Sequence, residues 1–240
     1  VRVMKKVVMT GCPRSGTTAL CTVLSHDPRV FISNEVGNFS YGKDNFGDRV
    51  KYALSKEYVS WMLDNKNISQ DDFLDKVSGS RQEYCSIIHN EYQQEVVGDK
   101  LPGYIECLLD IYRENPDAYY IITLRSVQHF VTSSNNHFAA GKRKIWTFET
   151  IDEAQKYWVE QNSNLIVDVG QMIPQGAKLI LIRYEDIGPN IDQTIKRISD
   201  FLGYEIKVHN PRGGFEPPHR PIRKFTPSSQ AQFLMDILGY

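Results

Sequence analysis

The chain has 240 residues, of which 41% are hydrophobic and 24% are charged, and its formal net charge is −1. These proportions are typical of a globular protein and exclude a disordered or fibrous chain. The near-neutral balance also argues against a nucleic-acid partner, because a bulk nucleic-acid binder carries a basic excess. We expect residues 1–240 to form a single domain that buries a core without the help of disulfide bonds.

The cellular location is predicted from what the sequence lacks. No apolar run approaches the roughly 18–20 residues that cross a bilayer, and the first residues show no signal-peptide pattern. The four cysteines, Cys12, Cys21, Cys85 and Cys107, are widely spaced and match neither a CxxC pair nor a disulfide ladder. We therefore expect a cytoplasmic protein without a membrane span.

Short apolar runs alternate with amphipathic stretches along the chain. The runs predict strands at Lys6–Thr10, Val30–Ile32, Glu95–Gly98, Ala118–Leu124 and Ala177–Ile182. The amphipathic stretches predict helices at Thr17–Ser25, Asp48–Glu91, Tyr104–Glu114, from about Val127, at Ile151–Met172 and at Ile191–Leu202. Apolar strands separated by helices indicate a parallel sheet that is covered on both faces. We predict an α/β three-layer sandwich around a parallel sheet of about five strands, with ligands at the carboxyl ends of the strands.

The turn after the first predicted strand, Gly11–Gly16, has the G-x-x-x-x-G spacing of a phosphate-binding loop. The backbone N–H groups of such a loop converge on a phosphate, and the following helix N-terminus adds partial positive charge. Thr17 stands where a Walker loop has its lysine, and a cation appears three residues earlier as Arg14. The later strands end in Arg125 and Arg183 rather than in a convincing magnesium carboxylate. The pattern favours a P-loop-type fold that holds a single substituted phosphate without a metal.

The segment Gly11–Leu20 (GCPRSGTTAL) resembles the 5′-phosphosulfate loop of sulfotransferases that use 3′-phosphoadenylyl sulfate (PAPS). The resemblance implies that five residues hold the 5′-phosphate and sulfuryl end of PAPS, namely Arg14, Ser15, Gly16, Thr17 and Thr18. It also implies a strand-end arginine and a serine eight residues later that together bind the 3′-phosphate. Arg125 and Ser133 have this spacing, and a guanidinium and a hydroxyl so placed can converge on one phosphate.

Two further segments concern the chemistry itself, since sulfuryl transfer needs a base for the acceptor proton and positive charge near the leaving oxygen. Ser33–Val36 (SNEV) and Lys100–Tyr104 (KLPGY) resemble the Asn-Glu-Val and Lys-x-Pro-x-Tyr segments of heparan-type sulfotransferases. The resemblance implies that Glu35 is the general base, Lys100 a positioning and charge-stabilising cation, and Arg14 the group that faces the bridging oxygen. The alternatives are a turn-capping Glu35 and a solvated Lys100.

Two further segments give weaker indications of a role in binding, and each has a second interpretation. Arg212, in the proline-rich segment Asn210–Pro227, resembles part of an Arg/Lys-Gly loop that closes over the adenosine and 3′-phosphate; the alternative is a surface connection. The basic run Gly141–Lys144 indicates either a lid that contacts an anionic or sugar acceptor or a solvated loop. No histidines pair with metal-ligand spacing, so we assign no metal.

We therefore predict a PAPS-dependent sulfotransferase that transfers the sulfuryl group directly to an acceptor hydroxyl on a glycan, lipid or small metabolite. The products are the sulfated acceptor and adenosine 3′,5′-bisphosphate. One alternative is a P-loop nucleotide or small-molecule kinase, disfavoured by Thr17 and by the missing magnesium carboxylate. The other is a non-catalytic nucleotide-binding domain. The acceptor and the oligomeric state are left open.

Overall fold

The computed structural model describes residues 3–39, 48–51, 63–142, 144–208, 222 and 224–240. Five strands form its central sheet: β1 (Lys5–Gly11), β2 (Val30–Asn34), β3 (Val96–Lys100), β4 (Tyr119–Leu124) and β5 (Lys178–Arg183). Their order across the sheet is β2-β3-β1-β4-β5, and every neighbouring pair is parallel. The predicted parallel α/β sheet of five strands is confirmed.

Helices connect the strands and follow the last one. They are α1 (Thr17–Leu24), α2 (Gln70–Val77), α3 (Tyr84–Tyr92), α4 (Leu108–Glu114), α5 (Val127–Ala139), α6 (Ile151–Met172), α7 (Tyr184–Ile187), α8 (Ile191–Leu202) and α9 (Ser229–Ile237). Residues 48–51 and 63–66 are also helical. None of the helices in the described ranges is long and apolar enough to cross a membrane.

The structure corrects two of the predicted helices. The stretch predicted as helical from Asp48 to Glu91 is interrupted, because Ser69 caps a new helix by accepting a hydrogen bond from the N–H of Asp72. The helix predicted from Tyr104 begins instead as a 3-10 turn at Pro102–Glu106, since proline fits the first turn of a helix and supplies no N–H.

Two hydrophobic layers cover the sheet because successive strand residues point to opposite faces. On one face Val7, Met9 and Ile121 pack with residues of α1 and α8. On the other face Val8, Tyr120 and Ile122 pack with residues of α3, α4 and α6. Each fully buried aliphatic side chain contributes about 1.5–3 kcal/mol, so both layers stabilise the predicted sandwich.

The register of the strands brings their carboxyl ends to one edge of the sheet. Lys100 is level with Met9 on one side and with Asn34 on the other, and Gly11 is level with Thr123. The close approach of β1 and β3 requires a glycine, because a Cβ at Gly98 would overlap the Val7 carbonyl oxygen. Arg14, Glu35, Lys100 and Arg125 lie at this edge, at or just after the ends of β1, β2, β3 and β4.

Candidate active site

The loop between β1 and α1 is shaped by contacts with later parts of the chain. Gly16 caps α1 with a φ of 88°, and a Cβ there would lie 2.5 Å from Cδ2 of Tyr184. Arg14 also has a positive φ, of 71°, and its carbonyl accepts a hydrogen bond from the Arg125 guanidinium. The Ser15 hydroxyl lies 2.6 Å from the Thr123 hydroxyl, and both are buried. The Ser15 side chain therefore fixes the loop to β4 and is directed away from the loop's open side.

A cleft of about 500 Å³ opens above this loop, and we call it the arginine cleft. It contains most of the predicted site residues: Arg14, Gly16, Thr17, Thr18, Glu35, Arg125 and Ser133. Lys100 lies directly behind its wall and contacts Thr18 and Glu35. Arg212 lies outside the described residues.

Two guanidinium groups give the arginine cleft its charge. Arg14 donates to the Ser133 hydroxyl at 3.1 Å and to Nε2 of His137 at 2.9 Å, while its guanidinium carbon lies 4.9 Å from the centroid of the Trp146 ring. Arg125 is only 7% exposed, and its guanidinium carbon lies 3.9 Å from the centroid of Tyr184. Burial, together with the nearby charge of Arg14, lowers the pKa of Arg125. Such a pair of cations suits an anionic ligand.

Glu35 and Lys100 form an ion pair at the rim of the arginine cleft. Nζ of Lys100 donates to Oε1 of Glu35 at 2.7 Å and to the Thr18 hydroxyl at 2.9 Å. The Lys100 side chain is fully buried, whereas the Glu35 side chain is 46% exposed. Parallel pairing explains the contact, because Asn34 is level with Lys100 and the N–H of Glu35 donates to the Lys100 carbonyl.

A buried carboxylate holds the turn that carries Glu35. Asp99 is fully buried and accepts hydrogen bonds from the backbone N–H groups of Val36, Gly37 and Asn38. It also accepts hydrogen bonds from the hydroxyls of Ser33 and Tyr104. Burial and the adjacent carboxylate raise the pKa of Tyr104, so the phenol stays a proton donor to Asp99. Glu35 itself has a φ of 69°, an uncommon conformation for a non-glycine residue that this surrounding turn maintains.

A second cleft, of about 700 Å³, adjoins the arginine cleft at Glu35, and we call it the apolar cleft. It shares Pro13, Glu35, Pro102 and Trp146 with the arginine cleft. Its other lining residues are Leu101, Gly103, Glu106, Lys144, Ile145, Tyr157 and Gln161. Of the predicted basic run, Lys144 lines this cleft and Arg143 lies outside the described residues.

Several residues of the site carry no signal that the sequence analysis recognised. Asp99 interrupts an apolar strand, which is an unusual place for a carboxylate and the one signal that could have identified it. His129 and His137 from α5, Trp146 from the segment after it and Tyr184 from α7 also line the arginine cleft. Cys12, inside the loop, is buried, and burial raises the pKa of its thiol. Within the described ranges, no group of three or more His, Cys, Asp or Glu side chains could hold a metal ion.

A parallel sheet with a glycine loop and a charged cleft at its carboxyl edge defines the P-loop-like α/β class. Within that class, the model of the Sulfotransferase family matches residues 6–208, and the chain belongs to this family. The resemblance seen in the sequence is thereby confirmed at the level of the family.

Solved structures support the same fold. The sulfotransferase domain from the Synechococcus PCC 7002 olefin synthase is 18% identical, with a TM-score of 0.68 over 100% of this chain and 96% of that one. The sulfotransferase domain from the curacin biosynthetic pathway is 16% identical, with a TM-score of 0.66 over 100% and 99% of the two chains. A sulfotransferase from Alicyclobacillus acidocaldarius is 16% identical, with a TM-score of 0.52 over 90% and 87%. No curated protein matches this chain.

Proposed function

We propose that this chain is a single catalytic domain that transfers a sulfuryl group from PAPS to an acceptor hydroxyl. The observation that carries the proposal is the convergence of Arg14, Arg125 and Ser133 on one cleft beside the N-terminus of α1. Arg125 is almost buried beside a second guanidinium, and a bound anion would offset the repulsion between the two cations. A nucleotide with phosphates at both ends supplies negative charge to both arginines.

Different residues of the arginine cleft bind the two ends of the nucleotide. The loop, with Arg14, Gly16, Thr17 and Thr18, holds the 5′-phosphate and the sulfuryl end beside the partial positive charge of α1. Arg125 and Ser133 hold the 3′-phosphate. Ser15 acts indirectly, since its hydroxyl is bound to Thr123. When bound, PAPS supplies the sulfuryl group that is transferred.

Glu35 is the general base of the proposed reaction. Its half-exposed carboxylate borders both clefts, so an acceptor hydroxyl in the apolar cleft reaches the carboxylate from the side opposite the nucleotide. Glu35 accepts the hydroxyl proton while the acceptor oxygen bonds to sulfur, and the bond from sulfur to the bridging oxygen breaks. Lys100 orients the carboxylate, and the Arg14 guanidinium stabilises the charge that develops on the bridging oxygen.

The lining of the apolar cleft suggests the type of acceptor. Leu101, Ile145, Trp146 and Tyr157 offer aliphatic and aromatic surface around Glu35. Such surface suits a hydroxyl on a lipid or on a small metabolite with an apolar portion better than a purely polar acceptor.

Calorimetric titration with adenosine 3′,5′-bisphosphate, beside ADP and ATP with and without magnesium, tests the proposal. We expect magnesium-independent binding of the bisphosphate that weakens by roughly a hundredfold in Arg125→Ala, because a charge-assisted pair with phosphate is lost. Arg113→Ala is the matched control, since Arg113 is exposed and pairs with Asp110 on α4. A preference for magnesium-ATP would overturn the proposal in favour of a kinase.

A further inference from the structure

A histidine in the arginine cleft is held by a partly buried hydrogen-bond network. Nδ1 of His129 lies 2.7 Å from the Ser126 hydroxyl oxygen and 2.9 Å from Oε1 of Glu185. The N–H and the hydroxyl of Ser126 both donate to the same Glu185 oxygen, at 3.0 and 2.9 Å. The hydroxyl proton of Ser126 is therefore in use, so the Ser126 oxygen accepts and Nδ1 of His129 carries a proton.

The opposite nitrogen of the ring, Nε2, is left on the side of the arginine cleft. His129 lines this cleft and is 29% exposed, and Nε2 makes no hydrogen bond within the described part of the chain. His129 and Ser133 are four residues apart on α5, so they share one helix face, and Arg125 immediately precedes that helix. The imidazole therefore lies between the two residues proposed to hold the 3′-phosphate.

We propose that His129 is a third ligand of the nucleotide's 3′-phosphate and becomes protonated as the nucleotide binds, with Glu185 as its positioning residue. This inference rests on the proposed function. With Nδ1 protonated, a neutral ring presents a lone pair at Nε2, and a lone pair repels a phosphate oxygen. A second proton converts Nε2 into a hydrogen-bond donor, and the imidazolium then forms a charge-assisted hydrogen bond to the phosphate.

The charges that face His129 explain why protonation and binding are coupled. Arg125 and Arg14 disfavour another positive charge in the arginine cleft, and Glu185 favours one. The Tyr184 ring lies edge-on at 6.3 Å, and Tyr240 donates to the second oxygen of Glu185. A bound phosphate dianion adds the negative charge that shifts this balance toward the imidazolium.

Glu185 is suited to this role because it stays ionised. Burial alone would raise its pKa, but the hydrogen bonds from His129 and Ser126 outweigh burial and lower the pKa to about 2. The ionised carboxylate therefore holds Ser126 and lies beside Nδ1 of His129, which keeps the imidazole ring in place.

The test compares His129→Gln with the wild-type protein in titrations with adenosine 3′,5′-bisphosphate and with adenosine 5′-monophosphate. We expect the variant to bind the bisphosphate about tenfold more weakly and the monophosphate within about twofold, because only the contact to the 3′-phosphate is lost. Titrations at pH 7.5 in two buffers of different ionisation enthalpy count the protons taken up on binding. We expect about one proton fewer for the variant. His26→Gln, an exposed histidine far from the cleft, is the matched control.

The outcomes distinguish the proposed role of His129 from the proposed function on which it rests. Loss of bisphosphate binding in Arg125→Ala, with unchanged affinity and proton uptake in His129→Gln, would overturn the inference and leave the function standing. Equal weakening of both nucleotides would also overturn it, since that result indicates a structural role. Absence of bisphosphate binding by the wild-type protein would overturn both. Glu185→Gln provides a second variant, in which we expect reduced proton uptake with the bisphosphate and no change with the monophosphate.

Discussion

The two sides of the candidate site are held in place by different means. The arginine side depends on side chains from distant segments, such as Arg14 on Ser133 and Arg125 on Tyr184. The Glu35 side depends on one buried carboxylate, Asp99, which binds three consecutive backbone N–H groups of the turn. Side-chain contacts can rearrange when a charged ligand arrives, whereas a backbone clamp fixes one position. We therefore expect the arginine side to adjust to bound phosphates and the Glu35 side to hold the general base in one position.

Glu35→Gln should affect the two sides of the site most differently, because it changes catalysis and leaves nucleotide binding unchanged. The amide keeps the shape and can still accept a hydrogen bond from Lys100, but it cannot take the acceptor proton. We expect kcat to fall by about 10²–10⁴-fold, and the affinity for adenosine 3′,5′-bisphosphate to stay within about twofold of wild type. Release of the bisphosphate from PAPS is measured with the best acceptor from a panel of aliphatic, aromatic and sugar alcohols. An unchanged kcat would remove Glu35 from the chemistry.

Asp99→Asn tests the clamp on the Glu35 side. Asp99 is fully buried and now accepts hydrogen bonds from backbone N–H groups. In the variant, the N–H donors of the new amide would face these N–H groups. We expect the free energy of unfolding in urea to fall by about 2–4 kcal/mol and sulfuryl transfer to fall with it. Asp192→Asn, an exposed residue at the start of α8, should change stability by less than about 0.5 kcal/mol. Equal stability of the two variants would contradict the clamp.

The contribution of the arginine side to protein stability should decrease at acidic pH. Glu185 has a pKa lowered from 4.5 to about 2, so its contribution to stability is present above pH 4.5 and is lost as the pH falls toward 2. Between pH 5 and pH 3 we expect wild-type stability to decrease by about 1–2 kcal/mol more than that of Glu185→Gln. Urea unfolding at a series of pH values measures the difference. The same pH dependence of stability in the wild type and in Glu185→Gln would contradict the lowered pKa of Glu185.

The sequence predicted those parts of the molecule that local pattern determines. Continuous apolar strands predicted the sheet. Glu35 and Lys100 were named through the family resemblance, and the pairing of β2 with β3 brings them together. Arg125 and Ser133 were also named through the resemblance, and both line the arginine cleft. The Asp99 clamp and the stacking of Tyr184 on Arg125 could not be predicted, because each joins segments whose contact depends on the completed fold.

Helix boundaries were the weaker part of the prediction for a local reason. The 48–91 stretch has helical spacing of apolar residues at Leu54, Tyr58, Trp61 and Met62, and that spacing outweighed the capping serine at position 69. The last helix, Ser229–Ile237, was not predicted at all. It is only nine residues long and follows a proline-rich stretch, so it offers too few turns for a clear amphipathic pattern.

Gly16, Tyr184 and Arg125 form one stack of peptide, ring and guanidinium drawn from three separate segments. A larger residue at position 16 collides with the ring, and a smaller ring at position 184 leaves the guanidinium without its support. Substitution at any one of these positions alone therefore damages the loop. In related chains we expect the three positions to change together or not at all, so they should be inherited as a single unit.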